Sequence, residues 1–226
     1  VRIGGFVPVS LCDYPCRVSA VVFTCGCNFR CPFCHNGHLL DANASATQQI
    51  DEKVVLGLIH ERRTRLGGVV VSGGEPTLQA DLPTFLHQLK SMDLAVKLDT
   101  NGSRPDVLEA LLKDRLVDYI AMDIKAPWDK YETLAGGACD AILLRRSMRL
   151  IASSGLPHEF RTTRVRALLT DEDCAKIMRQ IPAGSVHKWQ NFRPEYSLDP
   201  SLRAPSETPA PKPADSAVNP NTLHVR

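Results

Sequence analysis

Three cysteines carry the first piece of chemistry. Cys27, Cys31 and Cys34, within TCGCNFRCPFCHN, read C-x3-C-x2-C. Thiolate suits iron–sulfur clusters and zinc alike. Three thiolates on one short loop can hold three corners of a cubane [4Fe–4S] cluster, leaving one iron with open coordination for a small molecule. The alternatives are a zinc site completed by His35 or His38, or buried free thiols. Zinc loops usually pair cysteines as C-x2-4-C with a second pair further on, and the sequence holds no second pair of that kind. With Cys25, this loop contains half of the chain's eight cysteines.

The elements that must position this loop alternate along the chain. VSAVVFT, Val18–Thr24, is β-branched and apolar and reads as a strand; the cysteine loop follows it. Apolar residues at helical spacing mark Asp51–Leu66 as a helix. GGVVVS gives a strand at Val69–Ser72, and Leu82, Phe85, Leu86, Leu89 and Met92 mark the next helix. LAVKLDT is a strand, Pro105–Leu112 a short helix with proline near its start, and LVDYIAMDI a strand. Asp140–Ser153 is a helix with Gly155 just past its end, and HEFRTTRV is the next strand. Thr170 is placed to cap the acidic-started helix DEDCAKIMRQI, and VHKWQNF is a last strand. About six alternations call for a parallel sheet with right-handed crossovers. Six is fewer than the eight of a closed barrel, so an open partial barrel and a doubly wound sheet both fit the pattern. In either, the loops at the carboxyl ends of the strands build the active site.

Other reactive residues fall at those strand ends. Gly73-Gly74-Glu75-Pro76 follows the second strand, where glycines let backbone approach a ligand or simply make a tight turn. Asp99-Thr100-Asn101-Gly102 ends the third strand and Asp123-Ile124-Lys125 the fourth. Lys125 is either a charge for a ligand or a lysine lying over the barrel rim. Strand alternation puts Arg161, Thr163 and Val165 on one face of the fifth strand. An inward arginine needs an anionic partner, because a buried unpaired charge is costly. A ligand carboxylate and a protein acid both meet that need. Gln190, Phe192 and Arg193 end the sixth strand near the expected mouth.

The chain has 226 residues, 43% hydrophobic and 23% charged, enough for one domain with a substantial core. The expected division is a core domain, 1–200, and a flexible tail rich in proline, alanine and serine, 201–226, too poor in large apolar residues to offset its ordering entropy. The formal net charge of +2 gives no field for nucleic acid or anionic lipid. No apolar stretch approaches the ~20 residues that span a bilayer, and VRIGGFVPVS lacks the marks of a signal peptide. A cytoplasmic protein with reduced thiols is expected, with neither nucleic acid nor membrane as partner.

These motifs, in order, resemble a known family. C-x3-C-x2-C with an aromatic before its last cysteine, Phe33-Cys34, is the signature of the radical S-adenosylmethionine (SAM) enzymes. GGFVPVSLCDYP, VVFTCGCNFRCPFCHN, SGGEPTLQADLP, VKLDTNG, VDYIAMDIKAP, EFRTT and FRPEYSLDP extend the likeness from about Ile3 to Pro200. They resemble the anaerobic ribonucleoside-triphosphate reductase activating proteins, a family of glycyl radical enzyme activases. The fold expected is α/β, a partial (β/α)6 TIM-type barrel of parallel strands with a disordered C-terminal tail.

The resemblance implies one [4Fe–4S] cluster on Cys27, Cys31 and Cys34, with SAM chelating the open iron. Reductive cleavage of SAM would yield a 5′-deoxyadenosyl radical that installs a glycyl radical on a partner such as anaerobic ribonucleotide reductase. The electron would come from a low-potential donor such as flavodoxin or ferredoxin. Phe33 and His35 would flank the cluster and SAM. Gly73, Gly74 and Glu75 would receive the SAM amino group. Asp99, Thr100, Asn101 and Asp123 would support SAM, with a monovalent cation near Asp99 and Asp123. Lys125 and Arg161 would face the SAM carboxylate. Cys16 departs from the family, where glycine is expected, and Arg166-Ala167 replaces an expected Pro-Gly. Cys25 is expected to make no iron bond. A radical SAM enzyme acting on a small molecule or another glycyl radical enzyme is the second reading. A non-catalytic zinc-binding module is the third.

Overall fold

A computed structural model describes residues 1–41 and 49–203. Seven strands run β1 Ile3–Ser10, β2 Ser19–Thr24, β3 Gly68–Gly73, β4 Ala95–Thr100, β5 Tyr119–Asp123, β6 His158–Arg164 and β7 Val186–Asn191. They form one sheet in sequence order. From β2 to β7 every pairing is parallel, and β1 alone lies antiparallel, against β2. The expectation of parallel strands therefore needs one correction. IGGFVPVS escapes a strand reading because glycine and proline weaken strands, and it succeeds here as an edge strand, the place that tolerates them. The edges β1 and β7 do not pair with each other, so the sheet is a partial barrel.

Helices α1 Glu52–Arg62, α2 Leu82–Lys90, α3 Pro105–Lys113, α4 Tyr131–Ala135, α5 Ala141–Ser153 and α6 Asp171–Gln180 make the crossovers. Period-2 alternation divides each strand between two environments. Val69, Val71, Val96, Leu98 and Phe160 join Phe85, Leu89, Leu108, Ile151 and Ile177 in one large helix-covered core. Val21 and Val70 face the other way, into a small cluster under Tyr14. Lys97, Asp99, Asp123 and Arg161 lie on that same inner face, which makes the inner wall apolar on β2–β3 and ionic on β4–β6.

Local signals explain the element ends. Thr170 caps α6 in a full capping box with Asp173, satisfying two orphan N–H groups reciprocally. Asp51 and Asp140 cap α1 and α5. The five-residue α4 is too short to leave a periodic signature. The expected boundary at residue 200 falls in a 3-10 turn, Pro200–Arg203, with Leu202 packed on the core. The rest of the expected tail lies outside the described residues. No helix among the described residues is long and apolar enough to cross a membrane.

Candidate active site

The cysteine loop leaves β2 and is pinned from three sides. Cys25 N–H donates to Arg2 O at 2.9 Å and Gly26 N–H to Leu39 O at 2.7 Å. Arg30 N–H donates to Ala135 O at 2.7 Å, and Asp199 N–H to Pro32 O at 2.8 Å. Gly136 ends α4 with φ +73°, and a Cβ there would meet Arg30 O at 2.0 Å. Only glycine supplies both the left-handed backbone and the close approach.

The loop forms one wall of a cavity of about 370 Å³ at the carboxyl ends of the strands. Cys27, Cys31, Cys34, Phe33 and His35 line it from the loop. Gly73 and Gly74 line it after β3, Asp99, Thr100 and Asn101 after β4, and Asp123, Lys125 and Arg161 from β5 and β6. Thirteen of the fourteen expected site residues thus meet on one cavity, Glu75 being the exception.

Glu75 takes a place other than the one expected. Its carboxylate is fully buried. It accepts from Thr77 N at 3.1 Å, Thr77 Oγ1 at 2.5 Å, Thr100 Oγ1 at 2.8 Å and Asn101 N at 2.6 Å. Burial pushes its pKa up, against the pull of those four donors. Glu75 therefore staples the turn after β3 to the turn after β4 and does not line the cavity. The two glycines before it also serve protein backbone first. A Cβ on Gly73 (φ +119°) would meet Thr24 N at 2.3 Å, and one on Gly74 would meet Gly26 O at 2.2 Å.

The ionic wall is a row of alternating charge. Lys97 Nζ reaches Asp99 Oδ1 at 2.6 Å, and Asp99 Oδ2 receives Arg161 Nη1 at 3.1 Å. Arg161 Nε reaches Asp123 Oδ1 at 2.8 Å, and Asp123 Oδ2 receives Lys125 Nζ at 3.0 Å. Burial pushes Asp123 up, but Arg161 and Lys125 outweigh it and hold the carboxyl at about 2. Lys125 points into the cavity, not over the rim. Arg161 finds protein acids, one of the two partners its position calls for. Three cations face two carboxylates, so the row keeps one positive charge for an anionic ligand. Each carboxylate already has two protein cations, and a monovalent metal cation would have to displace one of them.

The cysteines themselves suit a cluster. Cys27 Sγ accepts from Phe29 N at 3.4 Å and faces Asn101 Nδ2 at 3.9 Å. Burial pushes Cys31 up to about 11, so a metal group binding there must displace its proton. Among the described residues no three His, Cys, Asp or Glu side chains converge on one point as the ligands of a single ion do. A cubane asks for wider spacing, because each thiolate binds a different iron. Cys25 is buried outside the cavity, where a Cβ on Gly4 would lie 2.5 Å from its sulfur. Cys12 and Cys16 are exposed on the β1–β2 connection.

His35 has a second task. Its ring stacks on Phe192 at 5.7 Å, and its Nε2 accepts from Arg193 N at 3.2 Å. This acceptor role requires a neutral ring, and burial lowers its pKa accordingly. Sequence reasoning missed Asn36, whose Nδ2 donates to Gly73 O at 3.3 Å, together with Ser72 and Asp13 on the cavity wall. Only the adjacency of Asn36 to the last cysteine and of Ser72 to the glycines could have pointed to them.

Residues 21–181 match the family model described as the radical SAM superfamily. A Methanocaldococcus jannaschii protein described as a glycyl-radical enzyme activating enzyme is 32% identical over 216 residues, 93% of this chain and 86% of the relative. The pyruvate formate-lyase 1-activating enzyme of Escherichia coli is 27% identical over 220 residues, 88% of this chain and 87% of that enzyme. Streptococcus suis SuiB bound to S-adenosylmethionine superposes with a TM-score of 0.61 at 15% identity, over 76% of this chain and 40% of SuiB. AdoMet-bound anSMEcpe superposes with a TM-score of 0.58 at 15% identity, over 79% of this chain and 54% of the other. At these identities the structural likeness is one of fold.

Proposed function

The chain belongs to the radical SAM superfamily, among the glycyl-radical enzyme activating enzymes, and from that premise we propose that it cleaves SAM reductively to install a glycyl radical on a partner enzyme. The observation that carries this reading is the meeting of three loop cysteines with the ends of β3, β4, β5 and β6 on one cavity. Cys27, Cys31 and Cys34 hold a [4Fe–4S] cluster. A cluster held there would supply the single electron that splits the C–S bond of SAM into methionine and a 5′-deoxyadenosyl radical able to abstract a hydrogen atom.

The protein's own part is placement. Lys125 and Arg161 orient the carboxylate of SAM through the surplus positive charge of their row. The backbone at Gly73 and Gly74 takes the amino group, and Glu75 keeps that turn rigid from behind. A monovalent cation near Asp99 and Asp123 would replace one of the protein cations that now pair with them. The side left open between β1 and β7 admits the partner's glycine-bearing segment. The motif series favours anaerobic ribonucleotide reductase as that partner. Similarity to the pyruvate formate-lyase activating enzyme favours a second glycyl radical enzyme as the alternative.

Anaerobic reconstitution should give about four irons per chain, with a reduced EPR signal that changes on adding SAM. Cys27→Ala, Cys31→Ala and Cys34→Ala should each lose the cluster, and Cys25→Ala should keep it. Mixing the reduced protein and SAM with each partner should give a doublet glycyl-radical signal with one of them. Stoichiometric zinc and no SAM cleavage would overturn the enzyme reading. SAM cleavage with neither partner activated would transfer it to a small-molecule substrate.

A further inference from the structure

A second cavity, about 610 Å³, lies on the outer surface between α5, α6 and the segment at Trp128. Arg145, Arg149, Lys176 and Arg179 line it against a single carboxylate, Asp129. Lys176 pairs with Asp129 at 2.8 Å. Among the described residues the guanidinium groups of Arg149 and Arg179 have no hydrogen-bond or ion-pair partner. Lys176 also lies 3.8 Å from Glu172 on the groove's edge, and the local excess of two cations still equals the net charge of the whole chain, +2.

An aromatic path starts in this groove. Arg145 stands 4.7 Å from the centroid of the half-buried Trp128 ring. Trp128 stacks on the buried Tyr131 at 5.4 Å and 19°. Tyr131 meets the buried Phe29 edge-on at 6.5 Å, and the Phe29 N–H donates to Cys27 Sγ. The groove is thus joined to Cys27 by packed rings and, at the last link, the Phe29 backbone N–H.

We propose that this groove docks the protein that delivers the electron, a small acidic one-electron carrier, and that Trp128, Tyr131 and Phe29 form the packed path the electron crosses. The proposal rests on the cluster assignment made above. One electron leaves the reduced carrier, oxidising it by one, and the oxidised cluster is reduced by one. No bond forms or breaks in this chain, and the rings are crossed by tunnelling without being oxidised. Charge complementarity selects the occupant. A cationic groove attracts an acidic protein and raises its association rate, with steep dependence on salt. A small inorganic anion would use the arginines but have no use for the ring path.

The test uses the cluster-loaded protein and an acidic flavodoxin as probe. Complex formation is titrated with the cluster oxidised, by flavin fluorescence, at several salt concentrations. Reduction of the cluster by flavodoxin hydroquinone is then followed by stopped flow, with dithionite as a small reductant that needs no docking. The triple variant Arg145→Glu, Arg149→Glu, Arg179→Glu should weaken binding at least about tenfold and flatten its salt dependence. Reduction by flavodoxin should slow in step, and reduction by dithionite should not. The triple lysine variant at the same positions should bind like the parent, which separates charge from misfolding. Trp128→Ala should slow electron transfer within the complex more than it weakens binding.

Unchanged flavodoxin affinity in the glutamate variant would overturn the proposal. So would an equal loss in a control with Arg62→Glu and Arg63→Glu at the C-terminal end of α1. So would tight binding of ATP in the groove with no effect of the glutamate variant on flavodoxin. If dithionite drives no SAM cleavage in the parent, the proposed function has failed; if it does and flavodoxin ignores the groove, only this inference has.

Discussion

Asp123 holds two cations at once, and its energetics can be read by pH. Its side chain is 25% exposed and its carboxyl is held at about 2, below the ordinary value near 4. A depressed carboxylate pKa contributes stability that is present above the unfolded value and lost as pH falls through the folded one. The contribution is on the order of 2 kcal/mol. Asp123→Asn should therefore be less stable by about that amount at pH 7, and the gap should close between pH 4 and pH 2. Urea melts across that window check it; a gap independent of pH would show that ion pairing is not the cause. Cys16 offers a second residue-scale test. It has φ +60°, the left-handed region where an ordinary side chain costs about 1–2 kcal/mol. The backbone here keeps the conformation of the glycine expected at this position. Cys16→Gly should raise stability by about 0.5–1 kcal/mol, after the added freedom of the unfolded chain, seen as a higher urea midpoint.

Elements decide what these residues can meet. The face that Arg161 takes was legible, because strand alternation is a local property of the chain. The inward turn of Glu75 was not, since its partners Thr100 and Asn101 lie a whole βα unit away. The cationic groove was equally hidden, being assembled from two helices and a loop. The short α4 matters more than its length implies, because its end carries the cysteine loop. Gly136 and Gly155 both have left-handed backbones, at φ +73° and +75°, but a Cβ on Gly155 meets nothing within 4 Å. Gly155→Ala should cost about 1 kcal/mol for backbone strain alone. Gly136→Ala should cost about 1–3 kcal/mol more, from the clash with Arg30 O. It alone should also lower iron content after reconstitution. Equal melting shifts in the two variants would show that α4 does not brace the loop.

At the scale of the whole molecule, segments far apart in the sequence close on the cysteine loop. Arg2, Ala135, Arg193 and Asp199 supply the fasteners, so the loop depends on contacts of very long sequence separation, the kind that form late in folding. The six-unit alternation foretold a parallel α/β sheet and the family resemblance a partial barrel, yet nothing local in the loop announced where its anchors lie. A ribosome emits those anchors in order, and the last emerges only after β7 has been made. Cofactor loading on this account waits for the segment that follows β7. A nascent chain stalled before β7 should leave Cys31 open to alkylation, whereas the finished protein buries it to 6% exposure. Equal protection in both would mean that the loop closes without its last fasteners. A cell that makes this protein must then keep iron and sulfide ready for polypeptides already grown past β7, because the shorter ones have nowhere to put them.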